Sequence, residues 1–260
     1  MDSAIREILS GFADWRRWAW LGLYDVKLQN RRSFVGTWWS VLSNAIFVFG
    51  VGYLFSYLME RPIEVFLPHV GAGYIVWQFI LGNVSQAGTV FVSYQKIILE
   101  ALLPINTLIL RGLVTSAIQL AMSAWLIAAV LVYTQVLPGP FVYLALAGVV
   151  LNLAVLHGAM LFIAIVSARF RDFRHLVDAG MRLVFFLTPI IWMPNPADET
   201  RSMLMAFNPF YYMVEVIRAP IVQPTVQMDL YAIVLGMAVF TNLAGLVAFL
   251  FARRRLVYWL

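Results

Sequence analysis

The sequence predicts an all-α integral membrane protein. It reads as six transmembrane helices, an amphipathic N-terminal helix in the cytoplasmic interface, and short re-entrant helices on the outer side between spans five and six. Three observations predict this. The 260-residue chain is 62% hydrophobic and 12% charged, with mean hydropathy +0.84, more apolar surface than a soluble domain of this length needs. Its apolar residues gather in runs close to the ~20 residues that carry a helix across a bilayer's hydrocarbon core. Fifteen of the 18 Lys and Arg residues occupy alternate gaps between those runs.

The charge placement orients the chain. Arg6, Arg16, Arg17, Lys27, Arg31 and Arg32 precede the first run. Lys96 and Arg111 flank the gap between the second and third, Arg169, Arg171, Arg174 and Arg182 the next gap on that side, and Arg253, Arg254 and Arg255 follow the last run. Only Arg61, Arg201 and Arg218 lie in the other gaps. The positive-inside rule then puts both termini in the cytoplasm and makes the number of crossings even. The net charge of +5 is therefore topological and lipid-facing, not a nucleic-acid stripe. With no cysteine, disulfide frameworks and thiolate metal sites are excluded. The first thirty residues lack a basic stretch followed by a short apolar one, so no cleaved signal peptide is expected.

Residues 1–32 read as the interfacial helix. Ile5, Ile8, Leu9, Phe12 and Trp15 recur at helical spacing with Arg6, Glu7, Asp14 and Arg17 between them, and Trp15, Trp18 and Trp20 suit the headgroup level. A snorkelling flank of the first span is the alternative. Residues 33–260 form a single domain. Its spans are expected at 34–59, 66–92, 108–133, 141–166, 176–193 and 230–251, with a short amphipathic helix at 93–106 closed by Pro104. The stretch 194–227 is polar at first and broken by Pro209, Pro220 and Pro224. It is too interrupted to span and too apolar for a solvated loop. Two short helices dipping into the outer leaflet fit, because irregular backbone at membrane depth survives only when buried in protein or lining a cavity.

Enzyme signatures are absent from the sequence. No Gly-Lys dipeptide occurs, hence no phosphate-cradling GxxxxGK[ST] loop. His69, His157 and His175 have no spacing for a shared metal, so no metal site is expected, and His157 reads as an interhelical hydrogen-bond partner. Ion-coupled transport needs carboxylates at membrane depth, and the long apolar spans have none near their middles. Asp178 is expected to pair with Arg182 one turn away, and Glu215 with Arg218. Energy for transport is expected from outside this chain. Aromatic residues are the positive signal: Trp38, Trp39, Tyr53 and Tyr57 in the first span, Trp77 and Phe79 in the second, Phe185, Phe186 and Trp192 in the fifth. Rings of this kind stack on the C–H faces of sugars, which makes these nine the channel-lining candidates. Aromatics also serve interfaces and packing. Asn44, Asn83 and Gln86 face either a pore or another helix.

The order of short motifs carries a resemblance. An R-R-S-x-x-G-x-x-W lead-in (Arg31, Arg32, Ser33, Gly36, Trp39) opens the first span. A basic A-R-F-R-D stretch (Ala168 to Asp172) follows the fourth, and T-P-I-I-W (Thr188 to Trp192) ends the fifth. N-P-F-Y-Y-M-V-E-V-I-R-A-P (Asn208 to Pro220) comes next, and the chain closes with three arginines and Tyr-Trp. The chain resembles the permease subunit of type-2 ABC exporters for polysaccharides, the group serving O-antigen lipopolysaccharide, capsule and teichoic acid export, and the O-antigen type most closely.

That resemblance implies a homodimer of this chain with two copies of a cytoplasmic ATPase subunit, in a bacterial inner membrane. ATP and Mg belong to the partner; no cofactor is expected here. The cargo is an undecaprenyl-diphosphate-linked polysaccharide passing between two protomers. It implies ATPase coupling through Asp14, Arg17, Asp25 and Lys27 and through Tyr94, Gln95, Lys96 and Glu100. It implies an outer gate at about 195–226, with Asn208, Phe210, Tyr211, Tyr212 and Glu215. Arg31 and Arg32 are candidates for the lipid diphosphate, since Arg takes phosphate oxygens bidentately; ordinary positive-inside flanking is the other reading. Competing functions are a drug or small-lipid exporter on the same fold and an integral-membrane sugar or acyl transferase. The transferase would need a convergent acidic or histidine site that the sequence does not display. A channel is disfavoured because the spans contain no ring-forming charge motif.

Overall fold

The computed structural model describes residues 2–29, 36, 38–100, 103–193, 199–253 and 255–259. Among them lie thirteen helices and no strand. Two short helices, α1 (Asp2–Ala13) and α2 (Trp15–Gln29), precede α3 (Trp38–Leu58) and α4 (Ile63–Ala87). Then come α5 (Val90–Ser93), α6 (Gln95–Leu99), α7 (Ile105–Thr134), α8 (Leu144–Arg169) and α9 (Phe173–Leu187). The chain continues through α10 (Glu199–Ala206), α11 (Pro209–Val222) and α12 (Asp229–Ala252) to the terminal α13 (Leu256–Trp259). Five of these, α3, α4, α7, α8 and α12, are long and apolar enough to cross a membrane.

Four boundaries differ from the sequence expectation. The single N-terminal helix is two helices. Asp14 separates them, its carbonyl accepting from the N–H groups of Arg17 and Trp18 as the first turn of α2 begins, a position Asp favours. The second span stops at Ala87 instead of 92, and α5 starts afresh after Gly88 and Thr89. The fifth run is helical for only 15 residues, about 22 Å at 1.5 Å per residue. Thr188 is extended (φ −91°, ψ 134°) because the following Pro189 disfavours the helical region for its predecessor. Pro104, expected to close the amphipathic segment, instead sits at the N-cap of α7 with φ −57°, close to the angle its ring imposes.

α8 and α12 form the closest pair in the bundle: a Cβ at Gly158 would lie 2.3 Å from the Asn242 backbone nitrogen, so only glycine lets these backbones approach so tightly. Helix α11 is a wedge, buried at every residue from Met213 to Pro220. It packs against α4, α8 and α12. Asn152 donates to the Met213 carbonyl at 3.0 Å, and the Tyr231 hydroxyl lies 3.2 Å from the carbonyls of both Leu144 and Val216. A side chain at Gly148 would meet the Val216 carbonyl at 2.5 Å. These contacts fasten α11 to the bundle through its own backbone, which a segment broken by prolines otherwise leaves exposed to hydrocarbon.

Candidate functional site

At the bundle end where α3 and α7 begin and α4 ends, the N-terminal helices lie on α7. Arg111 forms a bidentate pair with Asp25 of α2, through Nε to Oδ2 and Nη2 to Oδ1. The guanidinium also stacks 4.8 Å from the centroid of the Tyr94 ring. One arginine thus ties α2 and the α5–α6 turn to the first helical turns of α7. Burial pushes the Tyr94 phenol above its ordinary value, opposed by Arg111 and reinforced by Asp25, so this hydroxyl stays neutral. Higher on the same seam, Thr115 Oγ1 donates to the Gly22 carbonyl at 3.2 Å.

The other residues expected at this end are surface-facing. Asp14 and Arg17 pair at 3.0 Å with both side chains substantially exposed. With Arg16, Trp20, Leu21 and Leu103 they line a shallow hollow between the α1–α2 corner and the start of α7. Lys27, Lys96 and Glu100 are exposed and Gln95 is half-buried. Arg31 and Arg32 lie outside the described residues, as does the opening of the expected gate segment at 194–198. Arg169 packs 5.6 Å from the Trp259 ring, which places Trp259 against the end of α8.

Deeper in, α1 is stitched to the core. Asn106 of α7 donates to the Ile8 carbonyl at 3.2 Å and presents its Oδ1 to His157 Nε2 at 2.7 Å. The other ring nitrogen, Nδ1, faces Asn242 Oδ1 at 2.7 Å, and Asn242 donates to the Ala154 carbonyl. His157 is the interhelical partner its mid-span position suggested, joining α7, α8 and α12. Asp178 and Arg182 do not pair through their charged groups. The Asp178 carboxylate accepts from Ser85 of α4 at 2.9 Å, while Arg182 donates to the Asp178 backbone carbonyl. A neighbouring helix supplies a closer partner than the next turn does.

The opposite end centres on α11. Asn208 caps it, its Oδ1 accepting from Phe210 N–H at 3.0 Å while its amide donates to Thr188 Oγ1 at 2.9 Å. Glu215 and Arg218 form the expected pair, at 2.9 Å from Nε and 2.5 Å from Nη2. Arg218 is 1% exposed. Its Nη1 donates to the Pro189 carbonyl at 2.6 Å and lies 3.1 Å from His69 Nε2, and Gln223 donates to the free oxygen of Glu215. His69 also lies 3.1 Å from the Trp192 carbonyl. Arg218 is therefore a junction between α4, the chain after α9, and α11. Sequence spacing showed Glu215 but neither His69 nor Pro189, which come from other elements.

The nine aromatic candidates divide between surface and core. Trp38, Trp39 and Tyr57 project from α3, Tyr57 being 84% exposed. The Tyr53 hydroxyl meets that of Tyr133 on α7. Trp77 and Phe79 are buried within the chain. Trp77 packs against Phe185 at 5.7 Å and Phe210 at 5.8 Å, and Phe47 stacks on Tyr74 at 3.9 Å. Phe186 adjoins Phe185 and takes the Trp192 indole N–H on its carbonyl at 3.1 Å. The result is a ladder of rings from α3 through α4 and α9 to the start of α11, beside the T-shaped pair Tyr211 and Tyr212. Tyr212 also donates to the Ala206 carbonyl.

Of the mid-span polar residues, Asn83 is internal, accepting from Ser116 at 3.0 Å, whereas Asn44 and Gln86 line a cavity among α3, α4 and α7. Among the described residues no cluster of three or more His, Asp or Glu side chains could hold a metal ion.

Relatives cover most of this architecture. An O-antigen export system permease protein RfbA of Klebsiella pneumoniae is 20% identical over 230 residues, covering 86% of this chain and 87% of that protein. A second protein of that name from the same organism is 20% identical over 195 residues, covering 73% and 74%. One from Myxococcus xanthus is 24% identical over 188 residues, covering 71% and 72%. The family model for ABC-2 type transporters matches residues 17–222, from the start of α2 to the end of α11, and the chain belongs to that family.

Proposed function

We propose that this chain is the membrane-spanning permease subunit of an ABC exporter that moves lipid-linked polysaccharide, O-antigen most closely, outward across a bacterial inner membrane. The observation that carries the reading is the near end-to-end likeness to permeases named for O-antigen export, across a family match that takes in both ends of the bundle. The exposed rings of Trp38, Trp39 and Tyr57 on α3 offer stacking faces to a sugar cargo.

In this reading two copies of the chain enclose the channel and two ATPase subunits dock beneath them. Both termini are cytoplasmic, and α9 with the segment after it completes a sixth crossing. The exposed face of α3, bearing Trp38, Trp39 and Tyr57, turns towards the second protomer. Asp14, Arg17, Lys27, Gln95, Lys96 and Glu100 receive the ATPase, and the Asp25–Arg111–Tyr94 junction passes its movement to α7. Helix α11, with Phe210, Tyr211 and Tyr212, is the outer gate, latched by Glu215 and Arg218. Arg31 and Arg32 meet the diphosphate of an undecaprenyl carrier.

Deletion of the gene followed by fractionation and immunoblotting tests the reading. Surface polysaccharide is expected to disappear while lipid-linked polymer accumulates on the cytoplasmic side. Normal surface glycan with no accumulated intermediate would favour a small-molecule exporter.

A further inference from the structure

Among α3, α4 and α7, in the half of the bundle nearer the Arg111 end, lies a cavity of about 400 Å³, within the ~300–1,000 Å³ range of small-ligand sites. Its wall is polar yet uncharged. Asn44 comes from α3, Gln78 and Gln86 from α4, and Ser116, Gln119 and Ser123 from α7. Gln78, Gly82 and Gln86 recur every four residues, so α4 turns one continuous stripe to this space. Among the described residues the side-chain amides of Asn44 and Gln86 make no hydrogen bond within the protein. Both side chains are half-buried at the cavity wall, so their amides are available to a ligand there.

We propose that this cavity is a binding subsite for a neutral sugar ring. An amide offers donors and an acceptor together, and a hydroxyl offers both as well, so the wall matches a polyhydroxyl surface in either hydrogen-bond sense. Ile75, Phe79 and Leu120 add apolar contacts to the same wall, suited to the sugar's C–H groups. Other ligand chemistries fit less well. A phosphate calls for arginine or lysine, a hard cation calls for carboxylates, and neither charge lines the space. An acyl chain is better matched by the apolar hollow that Phe12, Trp18 and Leu113 share with α8, or by the one between α9 and α11. The lining described comes from a single chain. That the ring belongs to the exported glycan rests on the polysaccharide-export reading; the binding itself does not.

Gly82 gives a clean test. It is exposed, and a Cβ there meets nothing within 4 Å, so Gly82→Phe fills the cavity without displacing backbone. Gly236 on α12 is equally open, making Gly236→Phe the matched control. The full-length protein in lipid nanodiscs is titrated with glucose, galactose, mannose, rhamnose and N-acetylglucosamine, with binding read by saturation-transfer NMR. At least one sugar is expected to bind the parent and Gly236→Phe alike, with affinity at least tenfold weaker in Gly82→Phe and Gln86→Leu. Inorganic phosphate is expected not to displace it. Absence of binding by all five sugars, parental affinity in Gly82→Phe, or displacement by phosphate would overturn the proposal. The gene deletion decides the export reading separately, so failure of one is distinguishable from failure of the other.

Discussion

Arg218 shows what single residues contribute here. Its guanidinium is almost wholly buried and satisfied by Glu215, the Pro189 carbonyl and the neighbourhood of His69. Removing one member of a buried pair leaves the other charge uncompensated, at a cost of about 3–5 kcal/mol. Arg218→Met is therefore expected to lower the thermal unfolding temperature in detergent, with Glu215→Leu in the same chain restoring much of the loss. Equal stability of Arg218→Met and the parent would remove the latch. The sequence exposed half of this junction, because Glu215 and Arg218 are one helical turn apart. The contacts from α4 and from Pro189 depend on tertiary packing. The same reason explains Asp178, whose partner one turn away was outcompeted by Ser85 on another helix. Asn44 and Gln86 were legible as mid-span polar residues; that they share a cavity wall with Gln78 and Gly82 was not.

At the scale of elements, hydrophobic periodicity located the five long helices and the interrupted segment between α9 and α12. It misplaced ends where backbone chemistry overrides apolarity: Asp14 divides the N-terminal helix, and Pro189 stops α9 while the sequence is still apolar. The α5–α6 turn is held to α2 and α7 by Tyr94, Arg111 and Asp25, while Glu100 just beyond α6 is exposed. In the export reading Glu100→Arg abolishes transport, measured as surface glycan, while membrane insertion and dimerisation persist; unchanged export would remove this element from the coupling path. The crossing count is testable because the chain contains no cysteine. Single cysteines in Glu60→Cys and Arg255→Cys are expected to react with an impermeant maleimide from outside in the first case and only after permeabilisation in the second. Labelling of both from the same side would reverse the parity argument.

At the scale of the molecule, two junctions stand at opposite ends of one bundle. Arg111 binds the N-terminal helices to α7, and Arg218 binds α11 to α4 and the end of α9. The Asn106–His157–Asn242 chain and the ring ladder occupy the ground between them. In the export reading, movement imposed by an ATPase at the Arg111 end has to cross these packed elements to reach α11. Composition and charge asymmetry carried the membrane class, and ordered motifs carried the family. The path for cargo was not legible, because position along a span says nothing of the face it presents.

The most direct measurement uses inverted inner-membrane vesicles, whose cytoplasmic face is outward and which retain the native partner. Added ATP is expected to move lipid-linked polysaccharide into the lumen, where it resists externally added glycosidase, and vesicles lacking this chain should show no such protection. Polymer that stays fully accessible with ATP present, or becomes protected equally without the chain, would contradict the account.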